Sequence, residues 1–269
     1  MSHPQIAAAL PQATIRTKRV AWPRGLILPV VLVLGWTWSV HAGWVTGPLA
    51  VHAEQLLLAP FDDAAGREIW HAIGASLLRY ITGISIGIAV GLAFGTSMGL
   101  SATTERAGGG TFHALRQITL FAWIPLLTAW FGNGEASKIV YIALSAFFPV
   151  ALNTTTGLRN VPITYREVSR VLSLSRRQEI RRVLIPAALP AITIGIEIAL
   201  ISGWIGTVGA EYAIGNGRGI GTFVSEGREQ FRMDIVIIGV TALAATGYLA
   251  TRLCRRLSSL ALARASGLT

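Results

Sequence analysis

The long apolar segments of this chain constrain its fold more than any other feature. Residues 80–104 contain no charged side chain, and five further apolar runs occur along the sequence. Because a transmembrane helix needs roughly 20 mostly apolar residues, these runs predict an all-α integral membrane protein with six transmembrane helices. The predicted spans are Leu26–Trp44, Tyr80–Thr104, Ile118–Phe131, Ile139–Gly157, Pro186–Val208 and Ile235–Thr251.

Two of the six spans need a further argument. The first follows a basic segment that looks like the start of a signal peptide, but no small-x-small cleavage site follows Leu26–Val40, so we expect an uncleaved first helix. The third is short and contains Pro125, and taken alone it also fits a re-entrant segment. We keep it as a span because the charge bias described next is lost without it.

The basic residues predict which side of the membrane each loop faces. With six spans, 17 of the 23 Lys and Arg residues lie on the side of the N-terminus, five lie on the other side, and Arg79 lies at the entry to the second span. Cytoplasmic loops are enriched in these residues, so we predict that both termini are cytoplasmic. The chain then divides into a tail 1–25, a membrane domain 26–251 with a cytoplasmic segment 158–187, and a tail 252–269. The net charge of +10 therefore reflects membrane topology and does not indicate nucleic-acid binding.

The second span contains a glycine at every fourth position. On a helix these positions form a slowly drifting stripe along which another helix can approach closely. The stripe predicts a helix-packing seam, which fits either static packing or two helices that shift past each other. Its members are Gly83, Gly87, Gly91, Gly95 and Gly99.

The cytoplasmic segment carries an amphipathic pattern between the fourth and fifth spans. Val168, Val171, Leu172 and Ser175 follow the spacing i, i+3, i+4 and i+7, which predicts one face of a short helix. Periodicity alone leaves three possibilities open. The helix lies on anionic lipid, or the segment is a solvated basic loop, or the helix docks into a groove of a cytoplasmic partner.

This segment also resembles the signature loop of ABC-importer permeases. The resemblance rests on the string Glu167-x-Ser169-x-x-Leu172-Ser173-x-Ser175, followed by IPAALP at 185–190. Further similarities to the nitrate, sulfonate and taurine branch occur in order from about residue 70 to 250, and the chain is identified as a member of that branch. They are PLLTAWFGNGEASKI at 125–139, FFPVALNTTTG at 147–157, Trp204 with Glu211, GRGIG at 217–221 and MDIVIIG at 233–239.

The sequence departs from the family pattern at three places. Val168 and Ser169 replace a pair of small residues, and Ser173 replaces a glycine that permits a sharp turn. Glu197 stands where relatives commonly have a basic residue, so the charge at that site is reversed.

The resemblance implies a type I ABC-importer permease fold in which the cytoplasmic segment forms a coupling helix. It also implies a bacterial inner-membrane assembly of a second permease chain, expected as a homodimer, an ATPase dimer that holds ATP and Mg²⁺, and a periplasmic or lipid-anchored solute-binding protein. Val171 and Leu172 would fill a cleft of the ATPase, and Glu167 would pair with a basic group or cap the helix. The implied ATPase-coupling residues are Glu167, Ser169, Arg170, Val171, Leu172, Ser173 and Ser175.

No enzymatic site is predicted within the chain itself. GNGRGIG at 215–221 lacks the Gly-Lys-Ser/Thr ending of a phosphate-binding loop, so we expect a flexible extracytoplasmic loop near the binding protein. The five histidines show no metal-ligand spacing, and Cys254 is the only cysteine, so neither a metal site nor a cofactor is expected in this chain. ATP hydrolysis is expected on a separate subunit.

The fifth span contains two carboxylates and a tryptophan that are candidates for the translocation pathway or a gate. Charged groups are costly in lipid, so Glu197 and Glu211 are expected to face the bundle or a wet cavity. The alternative is a structural ion pair, for example with Arg79, which we favour for Glu211 and weigh equally for Glu197. Trp204 fits either the pathway or packing.

The solute remains open at this stage. The tracts 153–161 and 226–236 favour an aliphatic sulfonate or a taurine-like anion, and the alternatives are nitrate, a cyanate-like anion or a thiamine-precursor pyrimidine. A non-transporting membrane scaffold or sensor is the alternative of another class. A channel is disfavoured because no carbonyl filter or charged ring is visible in the sequence.

Overall fold

The computed structural model describes residues 24–44, 51, 58, 60–61 and 64–265, which contain helices and turns but no β-strand. The helices are α1 (Arg24–His41), α2 (Ala64–Leu100), α3 (Ala102–Leu115), α4 (Ile124–Phe131), α5 (Glu135–Arg159), α6 (Ile163–Val171), α7 (Arg176–Glu179), α8 (Ile185–Ile214), α9 (Ile220–Glu229) and α10 (Met233–Ala265). A 3₁₀ turn at Leu120–Trp123 precedes α4, and a π turn at Ile180–Leu184 joins α7 to α8.

The chain divides into two compact units. Residues 1–50 form one unit, which contains α1, and residues 51–269 form the other. The predicted tail 1–25 lies almost entirely outside the described residues. α10 continues into the predicted tail 252–269 as far as Ala265.

Four helices of the described residues are long and apolar enough to cross a membrane. They are Arg67–Leu100, Glu135–Arg159, Arg176–Ile214 and Met233–Arg256, and they correspond to the predicted second, fourth, fifth and sixth spans. In the first unit, Val30–His41 is a shorter apolar helix. The predicted count of six spans is therefore not confirmed.

The predicted third span is broken in the structure. α3 and the segment Leu120–Phe131 reach the length of a span only together, and they are bent by 99°. Pro125 lies in the first turn of α4, and Gly132 ends the helix with a φ of 74°. The eight residues of α4 extend only about 12 Å, so this helix alone is too short to cross a bilayer.

The second span starts earlier than the apolar run predicts. α2 begins at Ala64, although the predicted start was Tyr80. The additional turns carry charged residues, yet they are held by packing because Ile69 and Ala72 are buried against α9 and α10. Hydropathy alone does not detect such an amphipathic extension.

The core of the second unit lies between α2, α5 and α8. All five stripe glycines of α2 lie against α5, where a Cβ atom at any of them would come within 2.9 Å of an α5 atom or closer. Around this close approach, Tyr80, Ile142, Val150 and Ala199 are fully or almost fully buried. The structure therefore contains the helix-packing seam, and whether the seam moves remains a proposal.

Candidate functional site

The segment that was predicted to be cytoplasmic contains a helix, α6, with an exposed apolar surface. In α6, Val171 is 83% exposed, and Val168, Tyr165 and Ile163 are also exposed. Ser169 faces inward, where its hydroxyl donates to the carbonyl oxygens of Tyr165 and Arg166. Exposed apolar residues on a polar segment are typical of a binding surface.

The end of α6 shows how serine is accommodated at the position where the resemblance implied a glycine. Ser173 has a φ of 51°, in the left-handed region. Its amide donates to the Arg170 carbonyl at 2.9 Å, and the Leu174 amide donates to the Ser169 carbonyl at 3.0 Å. These two bonds form a Schellman motif with Ser173 at C′, the position that favours glycine. The sharp turn is therefore retained despite the substitution.

The predicted helix through Ser175 is wrong in its extent. α6 ends at Val171, and Ser175 instead caps the N-terminus of α7 in a capping box with Gln178, whose Oε1 accepts from the Ser175 amide at 2.9 Å. The left-handed turn at Ser173 breaks the 3.6-residue period. The apolar stripe consequently ends with Leu172, which is 63% exposed.

The remaining predicted coupling residues lie on the exposed part of this segment. Glu167 and Arg170 are exposed on α6. A groove of about 320 Å³ separates α6 from the start of α8 and is lined by Tyr165, Leu172, Leu174 and Pro186, among others. Arg176 reaches from α7 to the Leu100 carbonyl at 3.4 Å, which places the segment at the C-terminal end of α2. We call this the α6 end of the bundle.

Glu211 lies at the opposite end, inside a network that joins three helices. Its carboxylate is fully buried and accepts from Arg79 Nη1 at 2.7 Å and from Ser76 Oγ at 2.7 Å. Arg79 also contacts the carboxylate of Glu135 at the start of α5. Next to it, Lys138 is fully buried and donates to the Asn216 carbonyl. We call Ser76, Arg79, Glu135, Lys138 and Glu211 the charge cluster.

The charge cluster also holds the glycine-rich segment 215–221. The Gly221 amide donates to Glu211 Oε2 at 2.9 Å, and the Ile220 amide donates to Ser76 Oγ at 2.9 Å. Gly219 passes so close to the Glu211 carboxylate that a Cβ atom would overlap with it. The prediction of a flexible loop therefore differs from the structure, because these contacts tie the segment to α2 and α8.

The three candidate pathway residues have different environments in the structure. Glu211 forms the ion pair with Arg79 that was considered as its structural alternative. Trp204 packs edge-on against Tyr80, with ring centroids 5.5 Å apart, and its indole nitrogen lies over Gly247. Glu197 lies near the middle of α8, partly exposed, with no hydrogen bond or ion pair to any described residue.

Sequence reasoning missed most of the charge cluster. Arg79 was named only as a possible partner, and Glu135, Lys138 and Ser76 were not singled out. A signal was present, because Arg79, Glu135 and Lys138 flank apolar runs on the same predicted side of the membrane and carry opposite charges. Ser76 offered no signal. Among the described residues, no group of three or more His, Cys, Asp or Glu side chains has a metal-binding arrangement.

Comparisons with known proteins agree with this geometry. A family model described as binding-protein-dependent transport system inner membrane component matches residues 83–260. A putative aliphatic sulfonates transport permease of Bacillus subtilis is 33% identical and covers 89% of this chain and 87% of its own. A bicarbonate transport system permease of Synechococcus elongatus is 32% identical, with coverages of 85% and 86%.

A nitrate import permease of Synechocystis is 37% identical over 76% of this chain and 75% of its own. Among solved structures, a chain of the inward-facing MetNI methionine ABC transporter superposes with a TM-score of 0.56 at 18% identity. That superposition covers 73% of this chain and 99% of the other. At this identity the similarity concerns the fold alone.

Proposed function

The chain belongs to the family of binding-protein-dependent transport system inner membrane components, the permeases of ABC importers of the nitrate, sulfonate and taurine type, and from this premise we propose its solute and its mechanism. A permease of this family is a transport subunit and not an enzyme, since ATP is hydrolysed on a separate ATPase. We propose that this chain passes a small organic sulfonate from a solute-binding protein to the cytoplasm.

The exposed apolar surface of α6 is the observation that carries the mechanism. Val171 and Leu172 project from a segment outside the apolar part of the bundle, where exposure to water has a free-energy cost unless a partner covers them. We propose that α6 inserts into a cleft of the ATPase, with Glu167, Arg170, Ser173 and Ser175 around the contact. Closure of the ATPase dimer would then move α6 and tilt the spans.

Copurification from native membranes tests this contact. We expect the tagged chain to retain one ATPase copy per permease chain, and Val171→Asp to weaken this association about tenfold or more, because the substitution buries an unpaired charge at the interface. Thr103→Asp is the matched control, since Thr103 is also exposed at the α6 end but lies on α3. Equal retention of the ATPase by both variants would contradict the proposed contact.

The arrangement of charges supports the proposed topology. Lys138, which was assigned outside, lies in the charge cluster beside Arg79 at the entry to the second span, whereas Arg159 and Arg176 lie at the α6 end. We propose that the α6 end is cytoplasmic, that α1 and the bent segment α3–α4 complete six crossings, and that both termini are cytoplasmic. A reporter enzyme fused after residue 269 that is active only outside the cytoplasm should be inactive.

The face of α8 that carries Glu197 is the proposed pathway surface. Glu197 has no partner among the described residues, and a charged group facing lipid costs at least about 2.5 kcal/mol. We propose that a second copy of the chain packs opposite this face and that the solute passes between them. Glu211 is assigned a structural role, and Trp204 supports the pathway wall from behind.

The proposed solute class rests on the named relatives. Two permeases named for aliphatic sulfonates are 33% and 37% identical to this chain, and another relative is named for taurine. A relative named for nitrate reaches 37% identity as well, so an inorganic anion is the second candidate. Ligand screening of the binding protein that copurifies with this chain separates a sulfonate from nitrate. If no ATPase copurifies and no uptake occurs, a scaffold or sensor becomes the better account.

A further inference from the structure

Glu197 is the only formal charge in the interior of the described spans. No Asp, Glu, Lys, Arg or His occurs in α2 from Tyr80 to Leu100, in α5 from Ile139 to Leu158, or in α10 from Ile235 to Thr251. In α8, the second carboxylate is that of Glu211, and Arg79 neutralises it. The interior of these four helices therefore carries one charge without a described partner, and that charge is negative.

The surroundings of Glu197 indicate that it meets the solute. It lies on a continuous exposed face of α8, between residues that are 45% to 65% exposed, namely Ile194, Ile198, Ile201 and Ile205. A carboxylate on this face is disfavoured in lipid, so the face borders either water or another protein surface. Apolar walls around a single charge lower the local dielectric response and strengthen the attraction or repulsion that the charge exerts.

From this geometry we propose that the transported solute carries a cationic group and that Glu197 attracts this group halfway across the membrane. The inference rests on the proposed function and narrows the solute class. A zwitterionic aminoalkyl sulfonate has the sulfonate group of the proposed function and also the cationic group that Glu197 would attract. A solute that is only anionic, such as an alkyl sulfonate without an amine, nitrate or bicarbonate, is repelled at the same point. Glu197 acts by charge and forms no covalent bond with the solute.

Thiol labelling in the assembled transporter tests the charge of this surface without knowledge of the solute. In a Cys254→Ser background, Ile201→Cys places a single thiol one helical turn from Glu197. The probes are a cationic trimethylammonium-ethyl and an anionic sulfonatoethyl methanethiosulfonate. We expect the cation-to-anion rate ratio to fall about tenfold when Glu197→Gln is added, as expected for a short-range charge. A change in the reactivity of the thiol itself affects both reagents equally and therefore cancels in this ratio.

The matched control is Val90→Cys, on an exposed surface of α2. Its rate ratio should not depend on Glu197. The proposal is overturned if the thiol at position 201 reacts with neither reagent, or if its rate ratio is the same with glutamate and glutamine at position 197.

Uptake into proteoliposomes that contain the complete transporter tests the solute. The two probes are 2-aminoethanesulfonate and propane-1-sulfonate, each normalised to its affinity for the binding protein. We expect Glu197→Gln to lower uptake of the amino compound about tenfold relative to propane-1-sulfonate, and Glu197→Asp to retain most of the preference. An equal effect on both solutes overturns the inference. Absence of ATP-driven uptake of either solute contradicts the sulfonate function itself, and the labelling ratio then tests separately whether the Glu197 surface attracts cations.

Discussion

Ser173 adopts a left-handed backbone conformation that is unfavourable for a residue with a Cβ atom. Its φ of 51° lies where L-residues other than glycine pay about 1–2 kcal/mol. Two hydrogen bonds of the Schellman motif hold the turn, and the turn sets the direction in which the chain leaves α6. The strain is therefore local to the connection between α6 and α7.

Replacing this residue by glycine should relieve the strain. We expect Ser173→Gly to stabilise the turn by about 1 kcal/mol. The measurement is amide hydrogen exchange at positions 173 and 174, which should become slower. Ser175→Ala is the control in the opposite direction, because it removes the α7 cap and should cost about 1 kcal/mol. Faster exchange in Ser173→Gly would contradict the assigned turn.

Glu211 and Glu197 are two carboxylates of one helix whose replacement by glutamine should affect stability differently. Glu211→Gln leaves Arg79 buried with a weakened partner and should destabilise the fold by about 3 kcal/mol. Glu197→Gln breaks no contact and should leave thermal stability in detergent unchanged within about 0.5 kcal/mol. Similar losses in the two variants would show that Glu197 has a structural partner.

At the scale of the helices, the sequence predicted what depends on local pattern. The glycine stripe, the apolar runs of α5, α8 and α10, and the existence of α6 all follow from spacing and hydropathy. The first turns of α2, the 99° bend between α3 and Leu120–Phe131 and the end of α6 did not, because they depend on tertiary packing, on the break at residues 116–119 and on a left-handed serine.

The seam between α2 and α5 yields a matched test within one helix. Gly87 contacts α5 so closely that a Cβ atom would lie 2.8 Å from Ala146 Cβ, whereas Gly74 has no atom within 4 Å. We expect Gly87→Ala to cost about 1–3 kcal/mol through overpacking, and Gly74→Ala to be neutral or to stabilise α2 by up to about 1 kcal/mol. Melting of the purified chain in detergent measures both. Equal melting temperatures would contradict the close contact.

At the scale of the whole molecule, the two ends of the bundle have different tasks. The charge cluster ties α2, α5, α8 and the segment 215–221 together, which makes that end resistant to separation. The α6 end instead exposes apolar and basic side chains, and this is the surface that we propose contacts the ATPase. The sequence could predict this asymmetry through its charge bias, but the pairing of Glu211 with Arg79 required the fold.

The most direct test of the account is a photo-crosslink from α6. A benzophenone amino acid at position 171, introduced into the chain in native membranes, should crosslink to the ATPase subunit, and the yield should change when ATP is added because closure of the ATPase moves the contact. The same group at position 103, on α3, should give little or no such product. A crosslink to lipid alone at position 171, or equal ATPase products from both positions, would contradict the claim that α6 couples this permease to ATP hydrolysis.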